Sequence, residues 1–213
     1  MKKLSEGERI FRFLQPKGIL LDVGCANGRH SIYIAGKGLE VVGVDISIEH
    51  LKKASPVFER VQSDACCLPF KSNSFDCVLC FELLEHLSNP GFCISEVHRI
   101  LKGTGTALFT CPCLNIPIKT LIPIYRKLAG VNPETVNEHL HVFSTRRLEE
   151  MLSRHFEIVA VKYLRFLTII EKRLGIGYNL EAILSEISTK VPFLRYFSAF
   201  VWIKVRSKEQ TLN

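Results

Sequence analysis

Apolar positions along this chain fall into two alternating patterns, helical spacings of three to four residues and short unbroken apolar runs. Ile10, Phe13 and Leu14 share one face of a helix predicted over Glu6 to Leu14, which Pro16 and Gly18 end. Ile19 to Val23 is a strand-like run closing on Gly24, and Arg29 to Gly36 returns to helical spacing through Ile32, Ile34 and Ala35. Val41 to Val44 repeats the strand and ends at Asp45, after which Ser47 is placed to cap a helix through Leu51 and Ala54. A weaker strand at Phe58 to Gln62 precedes Asp64. A fourth strand covers Cys77 to Phe81. A helix around Glu96 to Leu101 follows Pro90, and a turn at Lys102 to Gly105 leads to a fifth strand at Ala107 to Thr110.

The alternation stops at Leu114 to Val142, where Pro117, Pro123 and Pro133 mark an insertion or lid. It resumes with a helix over Ser144 to Phe156 and late strands at Ile158 to Phe166 and Ala199 to Val205. Glu171 to Pro192 reads as helical, with no docking site implied. Strands separated by helices require crossovers, so the expected architecture is α/β, a mainly parallel sheet covered on both faces. Ligands in such folds bind at the carboxyl edge of the strands.

Composition narrows this picture. A chain of 213 residues with 47% hydrophobic and 23% charged residues suits a single domain, 1–213. It divides into a core at 9–113, the insertion at 114–142, and a sheet-completing, acceptor-side region at 143–213. The N-terminus has charged residues where a signal peptide needs an apolar stretch. Arg126, Arg195 and Lys204 interrupt the best candidates for a membrane span, so a soluble, cytoplasmic protein is expected. The eight cysteines read mostly as small core residues. Cys77 and Cys80, three apart on a strand, point to opposite faces and do not chelate one ion; Cys111 and Cys113 share a face but lack a second ligand pair, so no metal is expected. The net charge of +7 is spread along the chain, with its excess between Lys162 and Lys208.

The candidate chemistry lies in L-D-V-G-C-A-N-G-R-H, residues 21 to 30, between the first strand and the next helix. Gly24 and Gly28 allow backbone angles and close ligand approach that side chains would block, and a helix start offers amide donors to a carboxylate or phosphate. About 20 residues on, in V-V-G-V-D-I-S, Asp45 ends the second strand where an acid accepts both hydroxyls of an adenosine ribose. That acid also repels a 2′-phosphate, which disfavours NADP, and the spacing G-x-G-x-x-G of an NAD fingerprint is absent.

These residues resemble the class I methyltransferases, particularly the small-molecule enzymes that include those of ubiquinone and menaquinone synthesis. The pattern D-x-G-C-G-x-G of that family is matched by Asp22, Gly24, Cys25 and Gly28, with Ala26 in place of the middle glycine. The likeness continues through Ser63 to Ala65, Leu68 to Phe70, Ser74 to Leu79, Phe81 to Leu87 and Glu96 to Gly105, and covers roughly residues 9 to 113. The resemblance implies a Rossmann-like fold with a seven-stranded sheet and S-adenosylmethionine as cofactor. By the same analogy Asp64 bonds the adenine amino group with Ala65 offering its amide, and Ile46 packs on the adenine. Gly24, Cys25, Ala26 and Cys80 lie by the methionine portion, and Asp22 holds its amine. Arg29 either balances the methionine carboxylate or is an exposed first-turn residue.

Methyl transfer from a sulfonium asks mainly for in-line positioning and exclusion of water. Where the acceptor needs a base, the candidates are Glu82, Glu85, His86, His139 and His141. The acceptor is expected to be a small molecule. The Ile-, Leu-, Phe- and Tyr-rich stretches Leu114–Val142 and Leu164–Phe200, with Arg165, Lys172, Arg173 and Arg195, allow an apolar or lipid-like one approached from an anionic membrane surface. A nucleic-acid partner is disfavoured, because the chain has neither an N-P-P-Y or D-P-P-Y tetrapeptide nor an interleaved basic and aromatic platform. The alternative is a degenerate relative that binds the cofactor, or nothing, and serves as a regulatory or scaffold protein. Ala26 is the feature that points that way. Oligomeric state is not readable from the sequence.

Overall fold

In the computed structural model, which describes residues 4–113, 140–141, 143–164, 186–187, 198 and 200–208, every apolar run of the first half is a strand. The order is α1 (Glu6–Leu14), β1 (Ile19–Val23), α2 (Arg29–Ala35), β2 (Glu40–Asp45), α3 (Ile48–Lys53), β3 (Glu59–Gln62) and β4 (Phe75–Phe81). Then come a 3-10 turn (Leu84–His86), α4 (Pro90–Ile100), β5 (Leu101–Pro112), α5 (Thr145–Ser153), β6 (Phe156–Leu164) and β7 (Phe200–Ser207). Caps set the helix starts. Ser5, Ser47 and Ser144 each accept the amide three residues on, and Pro90 opens α4 where its missing N–H costs nothing.

One seven-stranded sheet runs in the order β3-β2-β1-β4-β5-β7-β6. Its first five strands are parallel, and β7 runs antiparallel to both β5 and β6. Alternate residues feed two cores. Leu20, Val41, Cys77, Leu79 and Trp202 face α1, α2 and α3, through Ile10, Leu14, Ile34 and Leu51. Leu21, Val42, Val78, Cys80 and Phe109 face α4 and α5, through Ile94, Val97, Leu148 and Leu152. Cys77 and Cys80 thus enter opposite cores, and all eight cysteines are free thiols. Trp202 is 2% exposed and holds α1 in place, with the Phe13 ring 5.9 Å away and the Arg9 guanidinium over its face.

Three expectations change. Lys102 to Gly105 is part of β5 and not a turn: pairing steps from Phe75–Leu101 to Cys77–Thr106, so the strand absorbs the extra residues as an irregularity. Ser31 and Ile34, and not Ile32, form the buried face of α2. The crossover from β3 to β4 contains no helix, and its loop lies against α4. Most of Leu114–Val142, including His139, and Glu171–Pro192 apart from the helical Glu186 and Ile187 lie outside the described residues. Among those described, no helix is long and apolar enough to cross a membrane.

Candidate functional site

The sheet brings the ends of four strands together. Val23 pairs with Val44 on one side and Cys80 on the other, and Asp45 pairs with Gln62, so Gly24, Asp45, Ser63 and Phe81 emerge along one edge. That edge includes the point, between β1 and β4, where the strand order reverses.

The turn after β1 is held to β2 by its backbone, since the amides of Gly24 and Cys25 both donate to the Val44 carbonyl, at 2.8 and 2.9 Å. Gly24 and Gly28 adopt left-handed φ of 73° and 75°. A Cβ on Gly24 would sit 2.9 Å from Leu83, and one on Gly28 would run into the Phe58 ring. Ala26 is also left-handed at φ 48°, a conformation that costs an L-residue about 1 kcal/mol. Cys25 is buried against Gly43 of β2.

Asp45 completes this turn. One carboxylate oxygen accepts the Ala26 amide at 2.8 Å and the other accepts Ser47 at 2.8 Å, which fixes the acid at the strand end and leaves each oxygen a further lone pair. Beside it Ile46 is 69% exposed, an apolar side chain bare to solvent just past the end of β2. Asp64 is exposed with one oxygen holding the Cys66 amide at 2.8 Å, and Ala65 is buried behind it.

Asp22 lies beneath the turn, 2% exposed, and accepts a hydrogen bond from the Ser31 hydroxyl of α2 at 2.5 Å. Burial pushes its carboxyl up from 3.8 to about 6, against the Ser31 bond and nearby His30, with Asp45 adding to the rise. His30 stacks on Phe81 at 4.4 Å and reaches Glu6 at 3.4 Å, and Glu6 also pairs with Arg29 at 2.7 Å. Arg29 is therefore an exposed first-turn residue tied to α1. Cys80 is wholly buried in the core that also holds Cys93 of α4, so its thiol is enclosed while its backbone ends β4 beside Val23.

At the far side of β4 the chain kinks at Glu82, a non-glycine residue with φ 48° whose amide is held by Thr110. Glu85 is 1% exposed. Burial raises its pKa despite hydrogen bonds from its own amide and from the Cys111 thiol. Its carbonyl accepts the amides of Leu140 and His141, which ties the end of the insertion to the core. Glu85 Oε1 and His141 Nε2 are buried without a hydrogen-bond partner among the described residues. His86 is exposed. No group of three or more metal-ligating side chains occurs among the described residues.

The sequence reading missed Ser31, Phe58 and Leu83, which set the depth of the turn. Nothing local in the sequence marks them, because each acts through a contact made only when the strands align. A sulfonium cofactor fits the donor set: two acids at different depths, an exposed apolar side chain and a left-handed glycine turn, with no cluster of cations among the described residues.

Residues 21–109 match the family described as Methyltransferase domain. A demethylmenaquinone methyltransferase from Renibacterium salmoninarum is 33% identical over 133 residues, 58% of this chain and 56% of that one. Among solved structures, phosphoethanolamine N-methyltransferase 2 of Haemonchus contortus, in complex with S-adenosyl-L-methionine, superposes with a TM-score of 0.68 at 19% identity. That match covers 96% of this chain and 52% of the other. The [4+2]-cyclase SpnF superposes with a TM-score of 0.67 at 19% identity, over 95% and 80% of the two chains. The chain spans less than two thirds of the length of the curated relatives it matches.

Proposed function

From the match of residues 21–109 to the methyltransferase-domain family, we propose that this chain is a class I enzyme that transfers the methyl group of S-adenosylmethionine to a small-molecule acceptor. The observation that carries the reading is Asp45, held by two backbone amides at the end of β2 with its free lone pairs at the cleft and the bare face of Ile46 beside it. In this reading Asp45 takes the ribose hydroxyls, Ile46 and Ala65 bound the adenine, and Asp64 accepts from its amino group. Gly24, Cys25, Ala26 and Gly28 admit the methionine end, with Asp22 on its amine. The cofactor supplies an already activated methyl group. The protein's part is to hold the acceptor in line and keep water out.

The acceptor side is the region around Glu82, Glu85, His86, Leu140 and His141. The similarity to a demethylmenaquinone methyltransferase supports an apolar acceptor, with the apolar stretches of the second half forming an ordinary amphipathic lid over it. That SpnF, named a cyclase, shares this fold keeps the fold itself from carrying the reaction. Glu85 is the candidate base, its buried carboxylate made more basic by desolvation. His141, whose amide bonds the Glu85 carbonyl, is a second candidate, and His139, outside the described residues, a third.

Calorimetric titration of the purified chain with S-adenosylmethionine and, separately, with NAD tests the reading. Saturable binding of the first alone is expected. Binding of neither would turn the chain into a scaffold of the same fold.

A further inference from the structure

The loop between β3 and β4, residues 63–74, has no helix of its own to satisfy its backbone, and a buried or half-buried carbonyl without a partner is costly. Two side chains of α4 supply the missing partners. Glu96 accepts the Leu68 amide at 2.8 Å, and Arg99 donates to the Phe70 carbonyl at 2.7 Å and the Leu68 carbonyl at 3.0 Å. The two are joined to each other by a bidentate pair at 2.7 and 2.8 Å. The helix ends add to this: the Asn89 carbonyl, at its start, accepts from the Cys66 thiol, and the carbonyls of Arg99 and Ile100, at its close, accept from Asn73 and Ser74.

From this arrangement we infer that Glu96 and Arg99 are positioning residues for adenine recognition, holding from behind the loop that carries Asp64 and Ala65 at the cleft. The connection between clamp and site is short. Leu68 is anchored in the core at 4% exposure, and four residues earlier Asp64 fixes a tight turn through the Cys66 amide at 2.8 Å and the Cys67 amide at 3.0 Å. Ser63 closes that turn by donating to the Cys67 carbonyl at 3.0 Å, while its own amide donates to the Asp45 carbonyl at 3.1 Å. A shift at Leu68 therefore moves the Asp64 carboxylate relative to Asp45, which stays fixed by Ala26 and Ser47. The bidentate geometry matters, since Arg99 spreads its donors over a carboxylate and two carbonyls, which a lysine cannot reproduce. The hydrogen bond from Arg99 and that from the Leu68 amide both keep Glu96 ionised below the ordinary glutamate range.

The inference rests on the cofactor reading above, and its test separates the two. S-adenosylhomocysteine and its deaminated counterpart, S-inosylhomocysteine, differ at the base edge that Asp64 and Ala65 would read, where the amino group becomes a carbonyl and N1 gains a proton. Their dissociation constants are to be measured for the wild type, Arg99→Gln, Arg99→Lys and Glu96→Gln. Circular dichroism fixes a temperature at which each is folded, and Glu96→Gln, which keeps the shape of the side chain, serves if Arg99→Gln does not fold. The wild type should prefer the adenosyl form by roughly tenfold or more, the range of one charge-assisted hydrogen bond. Arg99→Gln and Glu96→Gln should lower that preference to about twofold, chiefly by weakening the adenosyl form, with Arg99→Lys between, as expected when one bidentate contact becomes a single one. A preference unchanged in folded variants overturns the positioning role alone. A wild type that binds neither nucleoside overturns the cofactor reading, and the positioning role with it.

Discussion

At one end of the cleft Asp45 holds the amides of Ala26 and Ser47, Asp64 holds Cys66 and Asp22 accepts from Ser31, whereas at the other end Glu85 and His141 each keep a buried side-chain atom without a partner among the described residues. The first end is built before any ligand arrives, from bonds that span 2 to 19 residues of chain. The second end is joined through the backbone, with residues 140 and 141 donating to the carbonyl of Glu85. A preorganised acid pays its ordering cost in folding and not in binding, so the cofactor end should tolerate change poorly in affinity, and the acceptor end should show its changes elsewhere.

The largest effect is expected at Asp45. Asp45→Ala would remove the two charge-assisted bonds we propose to the ribose and should weaken S-adenosylmethionine binding by more than 100-fold, about 3 kcal/mol or more, while folding stability falls by only about 1 kcal/mol. Calorimetry and chemical unfolding on the same preparation give both numbers. Glu85→Gln, at the other end, should leave that affinity within about twofold, because an uncharged isostere there changes no group at the cofactor end. Equal losses in the two variants would erase the distinction.

Asp22 ranks next, because it is an acid of the cofactor end that is buried at a cost. Its folded pKa of about 6 lies above the ordinary 3.8, so the folded state binds the proton more tightly than the unfolded one. Its contribution to stability is fully present below about pH 4 and is lost as pH rises through 6, a span of about 3 kcal/mol. Asp22→Asn removes that dependence. Urea unfolding between pH 4 and 7 should show the variant gaining on the wild type by about that amount. Cofactor affinity behaves oppositely: in the wild type it should rise as pH passes 6 and the carboxylate forms beside the methionine amine, and in the variant it should stay flat and weak. A wild-type affinity that ignores pH in this window would separate Asp22 from the amine.

A smaller effect tests the glycine turn itself. Gly28→Ala places a Cβ against Phe58 at a left-handed φ and should cost about 2 kcal/mol of stability. Gly103→Ala, where a Cβ meets nothing within 4 Å, should cost less than about 0.5 kcal/mol. Phe58→Leu should recover part of the Gly28→Ala loss, since it withdraws the ring that the new methyl strikes.

How much of this was legible in the sequence follows the same divide. The bounds of α1 and β1 and the cap at Ser47 could be read from short-range signals, namely a helical stripe, a run ending at glycine, and a serine ahead of a helix. Asp45 could be placed because a strand end is a local property. The irregularity at Lys102 to Gly105 could not, since glycines and a lysine spell a turn unless the neighbouring strand is known to pair with them, and Asp76 holds Lys102 there at 2.9 Å. The burial of the Cys80 side chain was out of reach for a related reason: position along β4 sets how near its backbone lies to Gly24, but the face the side chain presents depends on α4, whose Cys93 shares its core. Phe58 and Ser31 act across 30 and 9 residues of chain, on Gly28 and Asp22, and only the register of the sheet brings them there.

The smallest expected effect bears most directly on the departure from the family pattern. Ala26 stands at φ 48° with its amide on Asp45, so the turn keeps the glycine-like shape and the methyl group carries its strain. Ala26→Gly relieves that strain, about 1 kcal/mol, and loses part of it to the greater freedom of glycine in the unfolded chain. The net should be a gain of roughly 0.5 kcal/mol, with S-adenosylmethionine affinity unchanged within about twofold. A turn already shaped for the cofactor has nothing further to gain from glycine. A large rise in affinity would instead mean that Ala26 obstructs the methionine end, and would move the chain toward the regulatory or scaffold reading that its other motif residues oppose.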